Sequence, residues 1–169
     1  MRQVNDVDPA VLSAFHRLRA VGHHIILATG RAPASIPRDF LDAADAAVTL
    51  TGALCTVGGE TVYQAALPVD VIRSLAVFCQ REQIPVFLEN ARHFCAFGRE
   101  AWFQDEDAAF YQTATLRLET AGELEKCGHS FAKAAIGAES YRRMLAAGWD
   151  PPPSGIGGEL HRHDPCRYR

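Results

Sequence analysis

His24-Ile25-Ile26-Leu27-Ala28-Thr29-Gly30-Arg31 is the stretch whose reading decides the fold. An apolar run stops at a threonine, and a glycine and an arginine follow. It lies after one helical pattern and before another, so it predicts a buried strand of a parallel sheet. In open α/β sheets ligands sit outside the carboxyl ends of the strands, and Thr29 stands at such an end. A hydroxyl at Thr29, close backbone approach at Gly30 and the planar donor fork of Arg31 together suit a phosphate.

Upstream, Asp8-Pro9 opens a helix, with Asp as cap and Pro in the first turn. Val11, Leu12, Phe15, Leu18 and Val21 fall on one face of it, and Gly22 supplies the stop. Downstream, Ser35 is expected to cap a second helix with Pro37 in its first turn and Ile36, Phe40 and Leu41 as apolar positions. Ala46 to Leu50 reads as a short strand ended by Thr51-Gly52-Ala53. Leu54 to Val57, Gly58-Gly59 and Thr61 to Tyr63 read as a hairpin around a Gly-Gly turn.

With those elements in place, Gly22 to Arg31 resembles the second motif of the haloacid dehalogenase superfamily. More narrowly it is similar to the Cof-type sugar-phosphate phosphatases, whose threonine at this place binds the phosphoryl group. The later order is similar too: there a third strand ends in Asn-Gly-Ala and a glycine-turned hairpin follows. The resemblance implies that Thr29 and Gly30 bind phosphate and that Arg31, Thr51 and Gly52 contact substrate. Thr51 stands where the family pattern has asparagine, and a hydroxyl replaces only part of what an amide offers.

The resemblance runs from about Asp8 to Ala147 and implies an α/β fold. A partial Rossmann-like core with a parallel sheet is expected over 1–66, and an α+β cap domain over 67–148. In the cap, Asp70 is expected to start a helix with Val71, Ile72, Leu75, Phe78 and Cys79 on one face. Strands are expected at 85–89, 94–97, 115–118 and 130–136, and a helix at 138–147 closed by Gly148. Residues 98–112 read as a loop or short helix, with Asp105, Glu106 and Asp107 a solvated acidic cluster. Lys133 reads as a solvent-facing lysine of a cap strand. A breaker cluster from Asp150 to Gly158 makes 149–169 an irregular or disordered tail.

Phosphatases of this superfamily use an aspartate nucleophile in D-x-D-G-T, a later lysine and a G-D-x-x-N-D magnesium site. The sequence holds none of these patterns. Asp6-Val7-Asp8 has the spacing of the first, yet Pro9 follows where glycine is needed, and no strand precedes it. The expectation is therefore an internal piece of such a phosphatase: a fragment, a mis-called start or a decayed gene. No catalytic or metal-ligating residue is assigned. Magnesium belongs to the full-length family and is not expected to bind this chain tightly. His161, His163 and Cys166, with Cys127 and His129, match no strong zinc spacing.

Composition bounds the rest. Of 169 residues, 48% are hydrophobic and 22% charged, which places the chain among soluble globular proteins. No apolar run reaches the length of a membrane span, and the first residues are no signal peptide. Five cysteines without C-x-x-C spacing indicate free thiols in a reducing cytoplasm. A net charge of -3 gives no bulk basic surface for nucleic acid. The expected function is hydrolysis of small phosphorylated metabolites by descent, with this chain inactive as written. The alternative is a non-catalytic remnant that binds a ligand or partner. A nucleotide-binding α/β protein is disfavoured, because neither G-x-G-x-x-G nor G-x-x-x-x-G-K-[ST] occurs. The sequence does not set the oligomeric state.

Overall fold

The computed structural model describes residues 8–150. The chain divides into two compact units. Of the described residues, the first holds 8–67 with Leu88–Cys95 and Ser130–Ala134; the second holds Pro68–Phe87, Ala96–His129 and 135–150.

In the first unit, α1 (Pro9–Ala20) starts as its sequence dictates, with the Asp8 carboxylate accepting from Ala10 N at 2.9 Å. Gly22 ends it with φ 90°, a conformation glycine adopts without penalty. The chain then forms β1 (Ile26–Ala28), a 3-10 turn at Pro33–Ser35, α2 (Arg38–Ala43) and β2 (Ala46–Thr49). β1 and β2 run parallel with Ile26 opposite Ala46, so α2 lies on a βαβ-type crossover. β3 (Leu54–Val57) pairs antiparallel with β2, and β4 (Glu60–Gln64) returns beside β3 across the Gly58-Gly59 turn.

Two expectations are corrected here. Ser35 caps no helix; it ends the 3-10 turn, and α2 begins after Pro37. The proline forces the preceding Ile36 into an extended conformation, so a helix cannot run through it. Nor is β1 a buried strand. Among the described residues the sheet order β1-β2-β3-β4 puts it at the edge, and Ile26 is 64% exposed.

Asp45, just before β2, clasps the start of this sheet. Its carboxylate accepts from Ile25 N at 2.8 Å and pairs with Arg19 at 2.8 Å, while its own N–H donates to Ile25 O. The Ile25 N–H first, and the Arg19 and His24 charges after it, hold this carboxyl below its usual range.

The second unit contains α3 (Val69–Glu82), which buries Ile72, Leu75, Ala76, Phe78 and Cys79, the face read from its sequence. β5 (Val86–Glu89), β6 (Phe94–Phe97), β7 (Leu116–Leu118) and β8 (Lys133–Ala135) form a sheet of order β7-β6-β5-β8, of which Leu88, Glu89, Phe94, Cys95, Lys133 and Ala134 belong to the first unit. The segment expected as a loop or short helix carries a 3-10 turn at Glu100–Trp102 and a nine-residue helix, α4 (Asp105–Thr113). α5 (Ala121–Lys126) is an unexpected helix, and α6 (Ala138–Ala146) ends the described elements. Phe87, Phe103 and Tyr111 pack one on the next with tilted rings, centroids 5.2 and 4.7 Å apart. Trp149 packs on Phe78 at 4.8 Å, so it belongs to the folded part; the rest of the expected tail, from residue 151, lies outside the described residues. Burial pushes the Cys79 thiol up to about 12, making it an inert core residue.

Candidate functional site

The carboxyl ends of β1 and β2 bring two short loops together. Thr29 N donates to Val48 O at 2.9 Å, which holds the end of β1 on β2. Beyond it, Leu50 N donates to Arg31 O at 2.9 Å, tying loop 29–31 to turn 50–52. A methyl group placed on Gly30 would lie 3.3 Å from Thr51 Oγ1, closer than ordinary packing. A side chain at Gly30 would thus require the Thr51 hydroxyl to give way by a few tenths of an ångström. Thr29, Gly30, Arg31 and Thr51 are gathered, and Gly52 completes the turn.

That turn is strained. Leu50, Thr51 and Gly52 take φ of 52°, 58° and 92° in succession. Glycine does so freely, but each of the other two costs roughly 1–2 kcal/mol. Leu50 is held there by burial, at 2% exposure, against Ala32 and Leu54, with Ala53, Ala91 and Ala132 around them. A β-branched residue in this region is an outlier, and such strain gathers at functional sites.

Within loop 29–31, Thr29 Oγ1 accepts from Arg31 N at 3.2 Å. That bond uses a lone pair and leaves the hydroxyl proton for another acceptor.

Lys133 is where the sequence reading fails. It is not a solvent-facing strand lysine: its side chain is 29% exposed, and Nζ lies 2.8 Å from Glu89 Oε1. The same ammonium donates to Gly30 O at 3.2 Å. Glu89 was also missed. The available signal was an acidic residue closing the apolar strand Val86-Phe87-Leu88-Glu89, since a carboxylate buried there needs a cation.

The remaining candidates separate from this site. Asp8 is the cap of α1, and Asp6 and Val7 lie outside the described residues. His161, His163 and Cys166 lie outside them too. Among the described residues no three or more His, Cys, Asp or Glu come together as metal ligands. Glu89, the carboxylate tied into this loop, is committed to Lys133, so the residues gathered here do not fit a magnesium site.

The sequence matches the profile of the haloacid dehalogenase-like hydrolases over residues 1–132. No curated protein matches it. Among solved structures it is similar to a subclass IIB sugar phosphatase of that superfamily, at 21% identity and TM-score 0.60, with 83% of this chain and 56% of that one covered. A phosphatase of the superfamily from Bacteroides thetaiotaomicron matches at 17% identity and TM-score 0.61, over 89% and 59% of the two chains. A hypothetical protein from Geobacillus kaustophilus matches at 18% identity and TM-score 0.61, over 83% and 55%. The chain thus spans just over half the length of the structures it resembles.

Proposed function

We propose, on the premise that this chain belongs to the haloacid dehalogenase-like hydrolases, that it carries the phosphate-gripping part of a phosphatase of small phosphorylated metabolites such as sugar phosphates. The observation that carries this reading is the meeting of loop 29–31 with the strained turn 50–52 at the carboxyl ends of two parallel strands. The Thr29 hydroxyl and the Gly30 N–H hold phosphoryl oxygens, and Arg31 adds positive charge at the rim. Thr51 and Gly52 form the opposite side of the substrate's berth. Catalysis of this kind works by positioning and electrostatic stabilisation around the transferring group. The 169-residue chain does not turn over by itself, because its sequence supplies no D-x-D-G-T nucleophile.

No helix among the described residues is long and apolar enough to cross a membrane. The free thiols of Cys55, Cys79 and Cys127 support a reducing compartment, the cytoplasm. The edge of β1, unpaired among the described residues, and the exposed Ile26 favour one second reading, a non-catalytic module that binds a partner there.

Calorimetry with inorganic phosphate tests the first reading. Thr29→Val keeps the side-chain shape and removes the hydroxyl, and it is expected to weaken binding about tenfold, the worth of one hydrogen bond to a charged group. Equal affinity would reduce Thr29 to the end of a strand. Magnesium-dependent hydrolysis of an aryl phosphate that survives Asp6→Asn and Asp8→Asn would overturn the absence of turnover. A partner whose capture is abolished by Ile26→Lys, with phosphate binding absent, would favour the second reading.

A further inference from the structure

The Gly30–Arg31 peptide is held at both ends. Its carbonyl accepts from Lys133 Nζ at 3.2 Å, and its N–H donates to Thr29 Oγ1 at 3.2 Å. The ammonium is fixed in turn by Glu89, 2.8 Å away, whose side chain is only 9% exposed. A carboxylate this buried needs its cation, so Glu89 determines where the Lys133 charge sits. The main chain keeps the pair in register, with Ala132 N donating to Glu89 O at 2.8 Å.

Every donor in this chain points the same way, from ammonium to carbonyl, from amide to hydroxyl. A charge on the carbonyl polarises the peptide and makes its N–H a stronger donor. Donation into Thr29 Oγ1 makes that oxygen's own O–H a stronger donor, and hydrogen bonds in series reinforce one another in this way. With the Arg31 N–H on one lone pair, the hydroxyl keeps its proton for donation to another acceptor.

We propose that Lys133, anchored by Glu89, is a positioning residue for the phosphate loop: it fixes and polarises the Gly30–Arg31 peptide and so aims the Thr29 hydroxyl proton at a phosphoryl oxygen. The inference rests on the reading of Thr29 as a phosphate contact. Lys133 acts through the peptide and does not touch the ligand.

The test is nuclear magnetic resonance of the full 15N-labelled chain, with inorganic phosphate as the probe. Removing the lysine alone strands the Glu89 charge, so Lys133→Met is made together with Glu89→Gln, and wild type is the reference. The Arg31 amide proton is expected to move upfield, the mark of a weakened donor, and phosphate affinity to fall about tenfold. Lys133→Arg keeps both near wild type. In a Thr29→Val background, loss of Lys133 costs no further affinity. An unmoved Arg31 amide overturns the proposal. So does an equal loss of affinity with and without the Thr29 hydroxyl, because the lysine then acts on the anion directly. If wild type and Thr29→Val bind phosphate equally, the phosphate reading falls. The Arg31 amide then decides the brace alone: a Lys133-dependent shift sustains it and a fixed shift overturns it.

Discussion

α1 and α3 are helices of 12 and 14 residues, both written with a clear apolar face, yet α3 buries five side chains and α1 buries none. Val11 and Leu18 of α1 are 39% and 42% exposed. Its main aromatic contact is Phe15 on Phe40 of α2, with centroids 5.9 Å apart. The sheets differ in the same way. β5 is buried at every position, whereas β1 alternates between exposed and half-buried. An amphipathic pattern states which face a helix must hide, but the cover has to come from elsewhere. On α3, Phe78 has Trp149 against it, and the buried residues of that unit include Phe97, Phe103, Tyr111 and Leu118. Around β1 and β2 the buried residues are mostly small, Ala32, Ala43 and Ala47 among them. Burial of apolar area is the main stabilising term, so these two regions differ in stability as well as in appearance.

Hydrogen exchange gives the largest expected contrast. Amides of β1 are expected to exchange at least about a hundredfold faster than those of Val86 to Leu88 and Cys95 to Phe97, since local opening follows the density of buried contacts. Comparable protection would break the comparison outright. Side-chain truncation asks the same question of single residues. Phe97 is fully buried, and Phe97→Ala is expected to cost about 3–5 kcal/mol in urea unfolding. Leu18→Ala, on the bare face of α1, is expected to stay within about 0.5 kcal/mol. A large loss at Leu18 would mean that the face is covered in solution.

The elements legible in the sequence were those with a local cause. Asp8 and Pro9 open α1, Gly58-Gly59 turns the hairpin, and the apolar spacing of α3 names its buried face. α5 escaped because six residues are too few for a period, although Thr120-x-x-Glu123 is a capping box whose reciprocal bonds are both formed. The sequence of α4 is ambiguous between loop and short helix because a run of acidic residues suits a solvated loop as well as the start of a helix. At the site, Thr29 and Gly30 were readable because a strand end has a local signature. Lys133 was not, since its bond to Gly30 spans 103 positions and no window contains both. The strain at Thr51 was equally hidden, because a threonine betrays no positive φ.

That strain supplies a smaller test, in the sparsely buried region. Asparagine tolerates the left-handed conformation that a β-branched residue resists. Thr51→Asn is therefore expected to stabilise the protein by about 1 kcal/mol in urea unfolding. A neutral or destabilising outcome would show that the threonine hydroxyl beside Gly30 is worth more than the relief of strain.

The smallest effect is electrostatic and turns on Asp45. Its carboxyl is held below the usual value of 3.8, first by the Ile25 N–H and then by the Arg19 and His24 charges. A group whose pKa is lower in the folded state binds fewer protons there than in the unfolded chain. Its contribution is complete above about pH 4 and is lost as pH falls through the lower, folded value. Since the carboxylate clasps Arg19 and Ile25, acid is expected to loosen the α1–β1 region first. Exchange of the Ile25 amide should quicken on going from about pH 5 towards pH 3, beyond the intrinsic pH trend, and Asp45→Asn should remove that step. Glu123 is the internal control. Its carboxyl is lowered by the Glu119 and Thr120 N–H groups at the start of α5, so that helix also responds to acid. The response of α5 should survive Asp45→Asn unchanged. If both steps disappear together, the two regions unfold as one cooperative body, and the contrast between α1 and α3 is one of exposure alone.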